Sequence, residues 1–132
     1  IVVCGHTDCG AMKGAMNPEG LDELPHVCDW LSHSQAAVKV TKRLHGDESK
    51  SIQLRRLTEQ NVLLQLQHLK THPYVAAAIA AGEVELHGWV FDIETGQMLA
   101  HNEENGEFEP ISQHHVDKTV AAVEAARAKQ AS

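Results

Sequence analysis

The fold class is decided by the first sixteen residues, IVVCGHTDCGAMKGAM (residues 1–16). Residues 1–3 are apolar and β-branched, which predicts a buried parallel strand. A glycine-containing turn then presents His6 and Cys9, and a helix is predicted over residues 10–16. Imidazole and thiolate are both ligands that Zn²⁺ accepts, and ligand sites in open α/β sheets lie beyond the carboxyl ends of parallel strands. The stretch therefore predicts an α/β protein with a metal site at this turn.

The residues around the turn leave two interpretations open. Gly5 would permit a sharp turn, and Gly10 would let a ligand approach the backbone closely. On an extended strand Cys4 projects on the same face as His6, so Cys4, His6 and Cys9 could form a three-ligand set. The alternative, which we favour, is that Cys4 is a small buried thiol that packs beneath the sheet.

Composition limits the class of protein. The 132 residues are 42% hydrophobic, which is enough for one domain with a real core. A net charge of −7 argues against nonspecific nucleic-acid binding, which relies on clustered Lys and Arg. No apolar run approaches the roughly 20 residues that span a bilayer, so we expect no membrane segment. Three cysteines without a secretory leader indicate reduced thiols or metal ligands, and hence a cytoplasmic protein.

Hydrophobic periodicity predicts the remaining elements. Apolar residues at helical spacing predict helices, alternating residues predict strands, and Gly96 and Gly82 suit a hairpin turn and a helix C-terminus. The predicted helices cover residues 24–44, 51–70, 73–81 and 114–129. The predicted strands cover residues 84–91 and 97–101, and the second returns antiparallel to the first.

Several segments resemble one enzyme family. Residues 4–12, CGHTDCGAM, are similar to the second zinc motif of the β-class carbonic anhydrases. The similarity continues in order through residues 24–31 (LPHVCDWL), 59–62 (EQNV), 71–73 (THP) and 86–96 (LHGWVFDIETG). Separated matches in the correct order cover residues 1–110, which is far more specific than one short motif.

The resemblance implies the chemistry. It implies that His6 and Cys9 bind Zn²⁺ and that the Gly10 N–H helps to hold bicarbonate. The implied reaction is the reversible hydration of CO₂ to bicarbonate by a zinc-bound hydroxide. Family members take a third protein ligand from an upstream Cys-x-Asp-Ser-Arg segment, whose Asp and Arg orient the zinc-bound water. The 132 residues contain no such segment, so we expect them to be the C-terminal part of the domain.

The resemblance also implies the architecture and the partners. We expect a mainly parallel central sheet flanked by helices, with an antiparallel edge strand and an incomplete N-terminus. Residues 1–110 would form part of a single domain, and residues 111–132 would form a helical extension that could bind a protein partner. We expect a homodimer or a higher homo-oligomer, located in the cytoplasm, a carboxysome or an organelle.

Two other function classes stay open at this point. One is a noncatalytic zinc-binding or assembly protein that keeps the fold. The other is a related zinc hydrolase that acts on CS₂ and differs mainly in access to the metal.

Overall fold

Helices flank a four-stranded sheet. The computed structural model describes residues 1–130, apart from the side chains of residues 114, 115, 118, 126, 129 and 130, so the last two residues of the predicted extension lie outside the described residues. Short 3₁₀ turns at Pro18–Gly20 and Ser32–Ser34 accompany the regular elements. In chain order these elements are β1 (Val2–His6), α1 (Gly10–Met16), α2 (Pro25–Leu31), α3 (Gln35–His45), α4 (Lys50–Thr71), α5 (Pro73–Ala80), β2 (His87–Phe91), β3 (Met98–His101), β4 (Phe108–Pro110) and α6 (Gln113–Gln130).

The sheet is mixed. Its strand order is β1-β2-β3-β4, with β1 parallel to β2 and the two following pairs antiparallel. His6 stands opposite Phe91 at the carboxyl ends of the two parallel strands. The predicted α/β class with an antiparallel edge is confirmed. The antiparallel edge contains one strand more than predicted. Strand β4 was not predicted because its three residues are too few to show a clear period-two pattern.

The first strand differs from its prediction in length and burial. It runs to His6, and its residues alternate between exposed and half-buried positions rather than being buried on both faces. Val3 and Gly5 face α4, whereas Val2, Cys4 and His6 lie on the exposed face. The prediction was wrong because β-branched residues indicate a strand without indicating how many of its faces are covered.

Helix α4 holds the core together. Leu57 belongs to a buried cluster with residues from α1, α2 and α3, and Val62 belongs to a second cluster with Val90 and Leu99 of the sheet. Both α4 residues are almost completely buried, at 0% and 2% exposure. Helix α4 thus packs on the other helices through Leu57 and on the sheet through Val62. This packing fixes β1 relative to α1.

The predicted helices are partly confirmed. The single helix expected over residues 24–44 was wrong, because a 3₁₀ turn at Ser32–Ser34 separates α2 from α3. The Ser32 hydroxyl donates to the Asp29 carbonyl at 2.5 Å, a local side-chain bond that competes with a continuous helix. The helices expected over 51–70 and 73–81 are confirmed to within one residue at each end. Gly82 follows α5 at φ +73°, as expected for a residue that ends a helix.

The C-terminal helix α6 lies beside the sheet. A cavity of about 280 Å³ separates Val116 and Val120 of α6 from Trp89 and Ala100 of the sheet. The two valines are 45% and 49% exposed, so the helix covers this face only loosely. No helix within the described residues is both long and apolar enough to cross a membrane.

Candidate metal centre

Close packing on α4 positions the strand that carries His6. A Cβ added at Gly5 would stand 3.0 Å from side-chain carbons of both Thr58 and Val62. Gly5 lies inside β1 at an ordinary backbone conformation, so its expected role in a sharp turn was wrong. Glycine is required there because α4 approaches the strand too closely for a side chain.

The turn after His6 contains one residue in the left-handed region. Asp8 has φ +55°, a conformation that Asp tolerates better than most residues. Its carboxylate forms an ion pair with the Lys13 ammonium, one turn into α1. The hydrogen bond and the charge of Lys13 hold the pKa of the Asp8 carboxyl below its usual value. The ion pair therefore links the tip of the turn to the helix that follows it.

A hydrogen bond to the backbone determines which ring nitrogen of His6 is available to a metal. Its Nδ1 lies 2.9 Å from the Thr7 carbonyl oxygen. A carbonyl only accepts, so this contact requires the Nδ1–H tautomer and leaves the Nε2 lone pair available. The side chain is exposed at the end of the strand, where a metal could reach it.

Cys9 provides a thiol at the other end of the turn. It precedes α1 as the N-cap residue, and its side chain makes no capping hydrogen bond. The thiol is free and half-buried, and it packs against the core cluster that includes Met12. Its carbonyl accepts from the Lys13 N–H at 3.0 Å, which fixes the start of the helix. The helix thus fixes the Cys9 backbone, and the sulfur makes no hydrogen bond to the start of the helix.

The backbone beside Gly10 is open. A Cβ added at this residue would meet nothing within 4 Å. Gly10 is the first residue of α1, so its N–H has no partner within the helix. The backbone at Gly10 is therefore accessible, and the approach of a ligand to it stays a prediction.

These features supply part of a zinc ligand set. The turn offers an imidazole with a free Nε2 and a free thiol, both of which are zinc ligands. Among the side chains that the structure describes, no three His, Cys, Asp or Glu residues are grouped so that they could hold a metal ion. The three-ligand set that includes Cys4 therefore has no support in the geometry. The structure places His6 and Cys9 at the two ends of one turn, and their role as ligands stays a prediction.

The other two cysteines have different surroundings. Cys4 is exposed on the same strand face as His6, as expected, and its thiol donates to the Gly5 carbonyl at 3.3 Å. The interpretation of Cys4 as a buried thiol was wrong, because helix α4 covers only the opposite face of β1. Cys28 is half-buried on α2 and lies 3.6 Å from the Leu21 carbonyl oxygen.

The sequence pattern did not predict the residues that hold the turn between β1 and α1. The Thr7 N–H donates to the Phe91 carbonyl at 2.9 Å, and the Thr7 hydroxyl accepts from the Ile93 N–H at 3.0 Å. The Asp8–Lys13 ion pair was not predicted either. An Asp inside a three-residue connection between strand and helix is a recognisable signal for a left-handed turn. The Thr7 contacts reach Phe91 and Ile93, the second of which lies 86 residues away in the sequence, and no local pattern indicates them.

Known proteins resemble this chain in sequence. The family model described as "Carbonic anhydrase" matches residues 1–98. A carbonic anhydrase of Pseudomonas aeruginosa is 43% identical over 114 residues, covering 86% of this chain and 51% of the relative. One of Synechocystis is 41% identical over 107 residues, covering 77% of this chain and 38% of the relative. The chain thus spans about half the length, or less, of these curated relatives.

Solved structures point to one class. The structure of the β-carbonic anhydrase CcaA is similar with a TM-score of 0.80 and 35% identity, covering 84% of this chain and 54% of that one. A structure from a study of two tetrameric β-carbonic anhydrases of Sordaria macrospora has a TM-score of 0.59 and 27% identity, covering 76% and 50%. Sequence and fold agree, and the chain belongs to the β-carbonic anhydrase family.

Proposed function

We propose that this protein catalyses the reversible hydration of CO₂ to bicarbonate with Zn²⁺ bound by His6 and Cys9. The observation that carries the proposal is the turn between β1 and α1, which presents a free imidazole Nε2 and a free thiol in a chain of this family. The relatives named above are carbonic anhydrases, which does not favour a noncatalytic zinc protein or a CS₂ hydrolase.

Each residue of the turn has a distinct part in the proposed reaction. His6 binds through Nε2 while the Thr7 carbonyl holds its Nδ1–H, and Cys9 binds as a thiolate. Zinc held here would supply an acidic water, because the metal lowers the pKa of bound water to about 7. The Gly10 N–H donates to the bicarbonate oxygen, and the open space beside it leaves room for the anion. A Cys-x-Asp-Ser-Arg segment would add the third protein ligand and the Asp–Arg pair.

We also propose that the working form is a homodimer or a higher homo-oligomer. Apolar side chains are exposed on and beside α2, where Leu24, Val27 and Trp30 are 52%, 41% and 76% exposed. Clusters of exposed apolar side chains mark an interface in many proteins. The solved relatives of Sordaria macrospora are described as tetrameric. The division at residue 110, a protein partner for the C-terminal extension and the cytoplasmic, carboxysomal or organellar location stay predictions.

Metal analysis combined with a CO₂ hydration assay tests the proposed function. We expect zinc in the purified protein, and we expect His6→Ala and Cys9→Ser to lose both zinc and activity. Cys28→Ser is a matched thiol control and should retain both, because its sulfur lies on α2. Cys4→Ser tests the three-ligand alternative and should also retain zinc. A protein without zinc, or one whose zinc survives both His6→Ala and Cys9→Ser, would contradict the proposal.

A further inference from the structure

Thr7 stands between the two proposed zinc ligands, and three of its polar groups are hydrogen-bonded. Its N–H donates to the Phe91 carbonyl at 2.9 Å, and its hydroxyl accepts from the Ile93 N–H at 3.0 Å. Its carbonyl lies 2.9 Å from His6 Nδ1. The first two bonds attach the turn to the end of β2, and the third reaches the imidazole.

The hairpin turn that follows β2 bonds to Thr7 through Ile93, and it is itself held by hydrogen bonds. The Asp92 carboxylate accepts from the Glu94 and Thr95 N–H groups at 3.0 and 3.3 Å. The Asp92 N–H donates to the Gln97 carbonyl at 2.8 Å, and Gly96 closes the turn at φ +70°. These hydrogen bonds all join residues between Asp92 and Gln97, so the hairpin turn is held by its own local bonds. The bond from the Ile93 N–H to Thr7 therefore attaches the turn between β1 and α1 to a well-held structure.

We propose that Thr7 is a positioning residue for zinc binding. Its hydroxyl, held by the Ile93 N–H, fixes the orientation of the Thr7 peptide. The carbonyl of that peptide then holds the Nδ1–H tautomer of His6 and directs Nε2 to the metal. Outer-shell partners of metal-binding histidines act in this way, and their loss typically costs 10–100-fold in metal affinity. The inference rests on the proposed function, because it takes His6 as a zinc ligand.

Three variants separate positioning from simple stability. Thr7→Val keeps the shape of the side chain and removes the acceptor for the Ile93 N–H. Thr7→Ser restores that acceptor and should rescue the effect. Thr95→Val is the matched control, because the Thr95 hydroxyl accepts from the Gln97 N–H at 3.3 Å within the same hairpin turn and does not contact the metal-binding turn.

Zinc affinity, measured by competition with a chelator on the purified protein, is the first readout. We expect Thr7→Val to weaken zinc binding by about tenfold, at the low end of the outer-shell range, because the hydroxyl acts through the carbonyl. Thr7→Ser and Thr95→Val should stay close to the parent. Long-range ¹H–¹⁵N NMR of the metal-free protein is the second readout. It should show the Nδ1–H tautomer of His6 in the parent and in Thr7→Ser, and a tautomer mixture in Thr7→Val.

The outcomes distinguish this inference from the function on which it rests. A parent protein that binds no zinc through His6 would overturn both. A parent that binds zinc, with Thr7→Val equal to it in affinity and in tautomer, would overturn the role of Thr7 and leave the function standing. An equal loss of affinity in Thr95→Val would also overturn it, because the effect would then come from the stability of the hairpin turn.

Discussion

Gly5 of β1 lies so close to Val62 of α4 that a Cβ on the glycine would stand 3.0 Å from the valine Cγ2. The same valine would contact a Cβ on Gly88 at 3.0 Å. Two glycines on neighbouring strands thus let one helix approach both strands of the parallel pair. Since His6 follows Gly5 directly, this packing also sets the height of the candidate metal site above the sheet.

Replacing Gly5 with alanine should destabilise the fold. The added methyl would push α4 away from β1, and overpacking of this kind costs about 1–3 kcal/mol. Equilibrium denaturant unfolding measures the change. Gly20→Ala is the control, because a Cβ there meets nothing within 4 Å, and it should change the free energy of unfolding by less than about 0.5 kcal/mol. Equal stability of the two variants would disprove the close-packing argument.

Gly10→Ala should separate stability from activity. A Cβ at this position meets no other atom within 4 Å, and alanine is a better helix former than glycine by up to about 1 kcal/mol. We therefore expect unchanged or slightly higher stability. The methyl occupies the space proposed for the anion, so kcat/KM for CO₂ hydration should fall by about tenfold or more. A variant as active as its parent would show that the anion does not approach this backbone.

Glu59 is the buried carboxylate of α4, and its loss should be costly. Its oxygens accept from Arg55 Nε at 3.3 Å and from Arg56 Nη1 at 2.9 Å, and the residue is only 4% exposed. The hydrogen bond to Glu59 raises the pKa of Arg56, which also contacts Glu107 at 3.4 Å. Removing one partner of a fully buried ion pair costs about 3–5 kcal/mol. Solvent screens the arginine side chains, which are 51% and 37% exposed, so the cost here is smaller.

We expect Glu59→Gln to lower the free energy of unfolding by about 1–2 kcal/mol. Glu107→Gln is the matched control, because the Glu107 side chain is 60% exposed and its ion pair should contribute less than about 1 kcal/mol. Urea unfolding at neutral pH compares the two. A larger loss in Glu107→Gln than in Glu59→Gln would contradict the assignment of the buried pair.

The hairpin turn after β2 should give the protein a pH-dependent stability. Desolvation raises the pKa of Asp92, but hydrogen bonds from the Thr95 and Glu94 N–H groups and from the Thr95 hydroxyl, together with the charge of Arg55, outweigh it and hold that pKa below the ordinary 3.8. Because the folded-state pKa is the lower one, the stabilisation is present above the ordinary value and is lost as pH falls through the folded-state pKa. Asp92→Asn should therefore unfold at a lower temperature than its parent near neutral pH.

The difference between Asp92→Asn and its parent should shrink as the pH falls below the ordinary value of the carboxyl. Glu94→Gln provides the control, since the Glu94 side chain accepts none of these turn hydrogen bonds. Calorimetric scans from pH 7 to strongly acidic pH would measure the effect. A difference that stays constant across this range would mean that the Asp92 charge does not stabilise the turn.

Local patterns predicted most of the fold. Helix α4 and the hairpin glycine Gly96 were predicted because helical periodicity and positive φ are properties of a few neighbouring residues. The long helix over residues 24–44 was wrong, since the Ser32 hydroxyl bond to Asp29 is not visible in the hydrophobic pattern. Strand β4 was missed because three residues carry too little period-two signal.

The candidate site was predicted only as far as its chemistry is local. His6, Cys9 and Gly10 are candidates because residues 4–12 resemble a zinc motif and follow a strand, which are local features; their roles stay predictions. The role of Thr7 depends on Phe91 and Ile93, which lie more than 80 residues away in the chain. The exposure of Cys4 depends on which face of β1 a helix covers, and residue type does not determine that.

X-ray absorption at the zinc edge of the purified protein tests directly whether His6 and Cys9 bind zinc. We expect bound zinc with a nitrogen shell at about 2.0–2.1 Å and a sulfur shell at about 2.3 Å. Cys9→Ser should lose sulfur scattering and His6→Ala should lose imidazole scattering, whereas Cys28→Ser should match the parent. Absence of zinc, or a coordination shell that neither the His6 nor the Cys9 substitution changes, would rule out His6 and Cys9 as the zinc ligands.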